Sequence, residues 1–190
     1  MKSREFHPER LDVLAFATDH GTLEGNVDLQ TMLRLRAGFH AAATDPSTWP
    51  QGHWQATAEL RPQTKGAPQV WLHLQAQTAV PLECQRCLQT VHEPLSVDRW
   101  FRFVATEAEA EQLDTEADED VLVLSRAFDL LALVEDEWVL AIPLVPMHPA
   151  CELVPYAPAN EANGDEAESE ASQTPHPFAA LAKMKLDTSR

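Results

Sequence analysis

Four residues of this chain have the types and spacing of metal ligands. Cys84 and Cys87 form a C-x-x-C within Pro81–Pro94, PLECQRCLQTVHEP, and His148 and Cys151 form an H-x-x-C far downstream. Two residues between ligands suit a tight turn, which points both donor atoms to one side at chelating distance. Three thiolates and one imidazole make the Cys₃His set of a closed structural zinc site. On the residues alone, other readings stay open. His92 is a rival fourth ligand, and free cysteines also pack as small hydrophobes. Neither pair has the glycine that often follows the second ligand, since Leu88 and Glu152 stand there. A redox reading also exists, because Arg86 between the cysteines would favour a thiolate. An oxidoreductase C-x-x-C, however, opens a helix after a strand, whereas here a strand pattern runs on both sides. No glycine-rich phosphate loop, G-x-S-x-G or H-E-x-x-H occurs, so the chain reads as non-enzymatic.

The elements that must bring residues 84 and 151 together are mostly strands. In His53–Leu60, Trp54, Ala56, Ala58 and Leu60 alternate with polar residues, the period of a half-buried strand. Val70–Val80 alternates again, with Trp71, His73, Gln75 and Gln77 on its other face. A second long strand lies in Leu88–Val104, where Trp100, Phe101 and Phe103 mark burial on both faces. The simplest arrangement is an antiparallel meander with the cysteines at a hairpin end. Leu11–Phe16 packs onto the core, and Gly21–Leu29, with two glycines, reads as a connector. Asp28 caps a short helix whose apolar face is Leu29, Met32, Leu33 and Leu35. Val121–Leu124 reads as a buried strand.

Phe128–Ile142 has the strongest helical pattern, with Leu130, Leu131, Val134, Trp138, Ala141 and Ile142 on one arc. Leu133 and Leu140 add apolar surface, which implies a grip on more than one face. Glu135 points toward the apolar arc and needs an arginine or a backbone amide as partner. Pro143 ends the helix. The prolines at 143, 146, 149, 155 and 158 then enforce an extended strap that carries His148 and Cys151. The reading is an α+β protein, an antiparallel β meander packed with a few helices. One domain covers residues 1–158, a disordered acidic linker 159–175, and a short amphipathic C-terminal helix 176–190.

The chain has 190 residues, 44% of them hydrophobic, and a net charge of −16. Residues 1–105 carry 10 Lys+Arg against 11 Asp+Glu, and residues 106–190 carry 4 against 19. The acidic half repels nucleic-acid phosphate and favours basic protein partners. Thr106–Asp120 holds eight of these acids and reads as a short helix or a mobile loop. A local basic face remains in Arg34, Arg36, Arg86, Arg99 and Arg102. No apolar run approaches the roughly 20 residues needed to span a bilayer. Three cysteines without a secretory leader fit the reducing cytoplasm.

Three blocks together resemble one family. LECQRCLQTV at Leu82–Val91, FDLLALVEDEWVLAIPLVPMHPACE at Phe128–Glu152 and HPFAALAKMK at His176–Lys185 are similar, in order and spacing, to the YceD family of large-ribosomal-RNA accumulation proteins. The resemblance implies a ribosome-biogenesis factor without catalysis. Such a factor supports synthesis, processing or stability of the 23S ribosomal RNA. The partner implied is the large-subunit precursor or a basic ribosomal protein. Extra cysteines in some relatives around the block matching His148–Cys151 imply metal binding in the family.

Overall fold

The computed structural model describes residues 4–151, apart from residue 65 and residues 115–118. The expected linker, the C-terminal helix and the domain boundary at 158 lie outside these residues. Five strands form one sheet, in which β1 (Thr22–Val27), β2 (Gly52–Arg61), β3 (Gln69–Glu83), β4 (Thr90–Val104) and β5 (Asp120–Val123) lie in chain order. The first four pair antiparallel. With α1 (Val13–Thr18), α2 (Leu33–Arg36), α3 (Glu107–Asp114) and α4 (Leu130–Ala141), the fold is α+β, as the alternation and the helical arc predict.

Two departures from a plain meander have physical causes. The expected connector at Gly21–Leu29 is mostly the edge strand β1, in which Val27 is the one buried residue. Its Gly25 faces Trp54, and a Cβ there would sit 3.0 Å from the indole. A residue that leaves room for a neighbour looks like turn chemistry in one dimension. The second departure is β5, which runs parallel to β4 (Phe101 opposite Asp120, Val104 opposite Val123), so the sheet is mixed. Parallel pairing needs a crossover connection. The acidic stretch after β4 supplies it, with α3 inside it. Thr106 Oγ1 accepts from Glu109 N, and Glu109 Oε2 accepts from Ala105 N, both at 3.3 Å, which fixes the start of that helix.

One face of the sheet carries the core. Leu72, Leu74, Ala76, Val80, Leu95, Val97, Phe101 and Phe103 are buried there together with Leu130, Val134 and Trp138 of α4 and Val13 and Phe16 of α1. Residues 130, 134 and 138 are spaced four apart, so they form one stripe down the helix. Asp129 caps α4 by accepting from Ala132 N at 2.9 Å. Gly52 lets Trp138 lie on the strand backbone, since a Cβ at 52 would stand 2.2 Å from the ring. The second grip on α4 reaches Leu133, which is buried, but not Leu140, which is 73% exposed because the cover stops before the last turn. Likewise Leu29, Met32 and Leu35 are buried and Leu33 is not. The segment is a 3-10 turn at Leu29–Thr31 followed by the four residues of α2, so its apolar positions do not share one continuous helical face.

Glu135 finds both kinds of partner that its position demands. Its Oε1 accepts from the backbone N–H groups of Arg34 (2.7 Å) and Leu35 (3.2 Å), and its Oε2 accepts from the Arg34 guanidinium. A second buried carboxylate, Glu137, pairs with Arg99 Nη1 at 3.0 Å. The two acids pin α4 to α2 on one side and to β4 on the other.

Candidate metal centre

The tip of the β3–β4 hairpin carries the first ligand pair. β3 ends at Glu83, and the turn that follows returns the chain to β4 at Thr90. Cys84 N donates to Gln89 O and Leu88 N to Cys84 O, both at 2.9 Å, closing the turn on itself. Leu88 takes a left-handed backbone conformation with φ 59. This is the geometry that a glycine after the second ligand would adopt without strain. The turn therefore has a knuckle shape although the sequence lacks the usual residue.

The second pair arrives on the strap that follows α4. Gln85 N donates to Pro146 O at 2.9 Å, and Met147 N to Glu93 Oε1 at 3.2 Å, so the strap is laced to the hairpin on both sides of its bend. His148 Nε2 bonds Thr90 O at 3.1 Å. A carbonyl only accepts, so Nε2 carries the hydrogen and Nδ1 keeps its lone pair for a metal. That Nδ1 lies 3.5 Å from Cys87 Sγ, and Cys84 Sγ lies 4.0 Å from Cys151 Sγ.

All four donor atoms fall within 4.8 Å of one another. A tetrahedron with metal–sulfur bonds of about 2.3 Å has sulfur–sulfur edges of about 3.8 Å, so the 4.0 Å Cys84–Cys151 pair is close to that edge, while the full 4.8 Å spread must contract to hold a metal. The electrostatics agree. Burial opposes ionisation of Cys84. The backbone N–H groups of Cys87, His148 and Arg86 lead the contacts that more than offset it, and its pKa falls from 9.0 to about 5. Cys151 moves the other way, raised by burial and by the neighbouring Cys84 and Cys87 sulfurs. A second positive centre would be needed to hold all these sulfurs as thiolates together.

The rival ligand His92 is exposed on β4 and stays outside the cluster. Several supports were not singled out by sequence reasoning. Thr90 accepts from His148 through its carbonyl, and its hydroxyl bonds His40 Nδ1 at 2.7 Å. His40 Nε2 also meets Glu83 Oε2 at 3.3 Å. Only the hairpin register, which places Glu83 opposite Thr90, would have pointed to them.

A family model described as large ribosomal RNA subunit accumulation protein YceD matches residues 72–185. The chain belongs to the YceD family. The stretch matched to YceD takes in all four candidate ligands. A Haemophilus influenzae protein named large ribosomal RNA subunit accumulation protein YceD is 35% identical over 111 residues. That alignment covers 57% of this chain and 62% of the relative, so the chain spans under two thirds of the relative's length. No solved structure matches. Within this YceD chain no described helix is long and apolar enough to cross a membrane.

The arginines proposed for RNA contact do not converge. Arg34 pairs with Glu135 and Asp136, Arg99 with Glu137 and Asp120, and Arg102 stands 4.0 Å from Glu119. Arg36 donates to Gln30 O, and Arg86 lies in the hairpin turn. Three of the five are thus engaged by carboxylates, Arg34 on α2 and the other two on β4.

Proposed function

We propose that this protein is a non-enzymatic, cytoplasmic ribosome-biogenesis factor. It supports the accumulation of large-subunit ribosomal RNA by binding a basic ribosomal protein or an assembly intermediate. Membership of the YceD family carries the reading. The charge distribution supports the choice of partner, because 19 acids against 4 bases beyond residue 105 attract lysine- and arginine-rich polypeptide. Cys84, Cys87, His148 and Cys151 bind one structural zinc ion. Four protein ligands fill its coordination, which leaves no open position for substrate and favours a binding role over catalysis. A thiol-oxidoreductase role has less support, since no helix starts at Cys84 or Cys87. An RNA face made of Arg34, Arg36, Arg86, Arg99 and Arg102 is likewise weakened by the ion pairs above.

The test is a deletion strain in which ribosomal particles are sedimented and large-subunit ribosomal RNA is quantified. We expect a deficit of large-subunit particles, restored by the intact gene. Normal profiles and normal RNA levels would overturn the role. Protein purified without chelator should contain about one zinc ion per chain, and Cys84→Ser with Cys151→Ser should contain none. Equal metal content in both would remove the site.

A further inference from the structure

Away from the metal centre, a cavity of about 460 Å³ opens between α1 and the segment that follows β5. Its volume lies within the range of about 300–1,000 Å³ typical of small-molecule sites. Part of the wall is apolar, made by Leu14, Ala15 and Leu124. Leu14 is 49% exposed, an apolar surface left open beside polar groups. The remaining wall includes two arginines, Arg4 and Arg126.

These two arginines differ from four of the others. Arg34, Arg61, Arg99 and Arg102 each have a carboxylate partner. Among the described residues, Arg4 and Arg126 make no ion pair and no hydrogen bond, in a chain with 30 acidic residues. The one carboxylate in the wall, Asp12, is occupied at Oδ1 by Ala15 N at 3.0 Å. Ser125 also lines the cavity. Its Oγ accepts from Ala127 N at 3.1 Å, which leaves its O–H free to donate. Two cations and a hydroxyl donor beside an apolar wall match an oxyanion joined to a flat or apolar body.

We propose that this cavity binds the phosphate of a nucleotide, with Arg4, Arg126 and Ser125 on the phosphate oxygens and the base or ribose against Leu14, Ala15 and Leu124. A nucleotide in unpaired RNA and a free mononucleotide offer the same chemistry. The choice of nucleotide over another oxyanion rests on the ribosomal-RNA reading above, whereas the cation pair and the cavity do not. The site is local, so it is compatible with an acidic half that repels bulk RNA.

The test uses the full chain, uridine monophosphate, an unstructured uridine decamer, and amide NMR shifts as the readout. Saturable shifts confined to residues 4–6, 12–18 and 124–127 are expected. Shifts with the decamer alone assign the site to RNA, and shifts with the mononucleotide alone assign it to free nucleotide. Arg4→Gln with Arg126→Gln should weaken binding about tenfold or more. For the decamer, the log–log salt slope should become shallower by about 0.7 for each phosphate that is no longer neutralised. Arg36→Gln, an equally simple charge loss elsewhere, should change neither. The double variant should keep the melting temperature, because neither side chain has a partner to lose among the described residues.

Several results would overturn the site: no shifts with either probe, shifts elsewhere, undiminished binding by the double variant, or an equal loss in Arg36→Gln. Displacement of bound nucleotide by a dipeptide with a free carboxylate, at lower concentration than by phosphate, would also overturn it. If nucleotide binding maps to the cavity while the deletion strain accumulates ribosomal RNA normally, the site stands and the ribosomal role falls.

Discussion

Toward its open end the β3–β4 hairpin lies in the core, where Leu72 is paired with Phe101 and Val70 with Phe103, in one cluster with Leu130, Val134 and Trp138 of α4. At its closed end the same two strands bury only Leu82 and Val91 beside the cysteines and run into a turn and a strap tied by a few hydrogen bonds around four donor atoms. Burial of large side chains holds the first region, and it needs no ligand. The second has less apolar burial, and its convergent sulfurs and imidazole would attract one another only through a cation. The hairpin thus joins a part that folds on its own apolar surface to a part that a metal ion would tie together.

The sharpest way to break this contrast is at the body. Trp138→Ala removes a fully buried ring from the face against Gly52 and should lower stability by about 3–5 kcal/mol in urea titration. A loss below about 1 kcal/mol would mean that α4 does not anchor the sheet. Next is Glu135→Ala, which strands the Arg34 and Leu35 N–H groups and the Arg34 guanidinium. We expect about 1–3 kcal/mol, with Glu135→Gln recovering part of it because an amide oxygen still accepts. An equal loss in both variants would put the charge, rather than the accepted N–H bonds, in control.

Metal removal then addresses the other region. With chelator, amide exchange should accelerate over residues 83–90 and 144–151 while residues 70–76 and 97–103 keep their protection. Uniform acceleration across the sheet would erase the distinction between the two regions. The smallest effect is expected from Leu88→Gly. Left-handed backbone costs a non-glycine residue about 1–2 kcal/mol, and glycine loses about 0.5–1 kcal/mol of that gain to its greater freedom when unfolded. The variant should gain under about 1 kcal/mol, and a net loss would mean that the Leu88 side chain contributes packing its exposure does not reveal.

Much of the body was legible because its periods are regular. Val70–Val80 alternates without a break, and the stripe of α4 at residues 130, 134 and 138 has no competing strand reading. Even the need of Glu135 for an arginine or amide partner followed from its place on an apolar arc. What escaped depends on neighbours distant in sequence. β1 is hidden by Gly25, which exists for the sake of Trp54. The direction of β5 follows from the length of its crossover rather than from VLVL itself. At the tip, two x-x spacings brought out all four donors. Setting His148 above His92 required the fold, which leaves His92 exposed on β4 outside the cluster. The scattered arginines mislead for the opposite reason: cationic side chains look available until their carboxylates are seen.

The strand order has one more consequence, for the chain as it is being made. Each of the first four strands pairs with its neighbour in sequence, so the sheet can assemble progressively behind the point of synthesis. Its full cover cannot. Leu11 N and O bond Phe128 O and N at 2.7 and 2.9 Å, and α4 begins only at Leu130, so α1 can settle on β2 and β3 early while the other helical lid waits for the last third of the described residues. A nascent chain paused before residue 128 therefore presents Leu72, Leu74, Val97 and Phe101 with no helix α4 above them. That interval is the one in which a chaperone has a surface to hold and a stalled chain has a surface on which to aggregate.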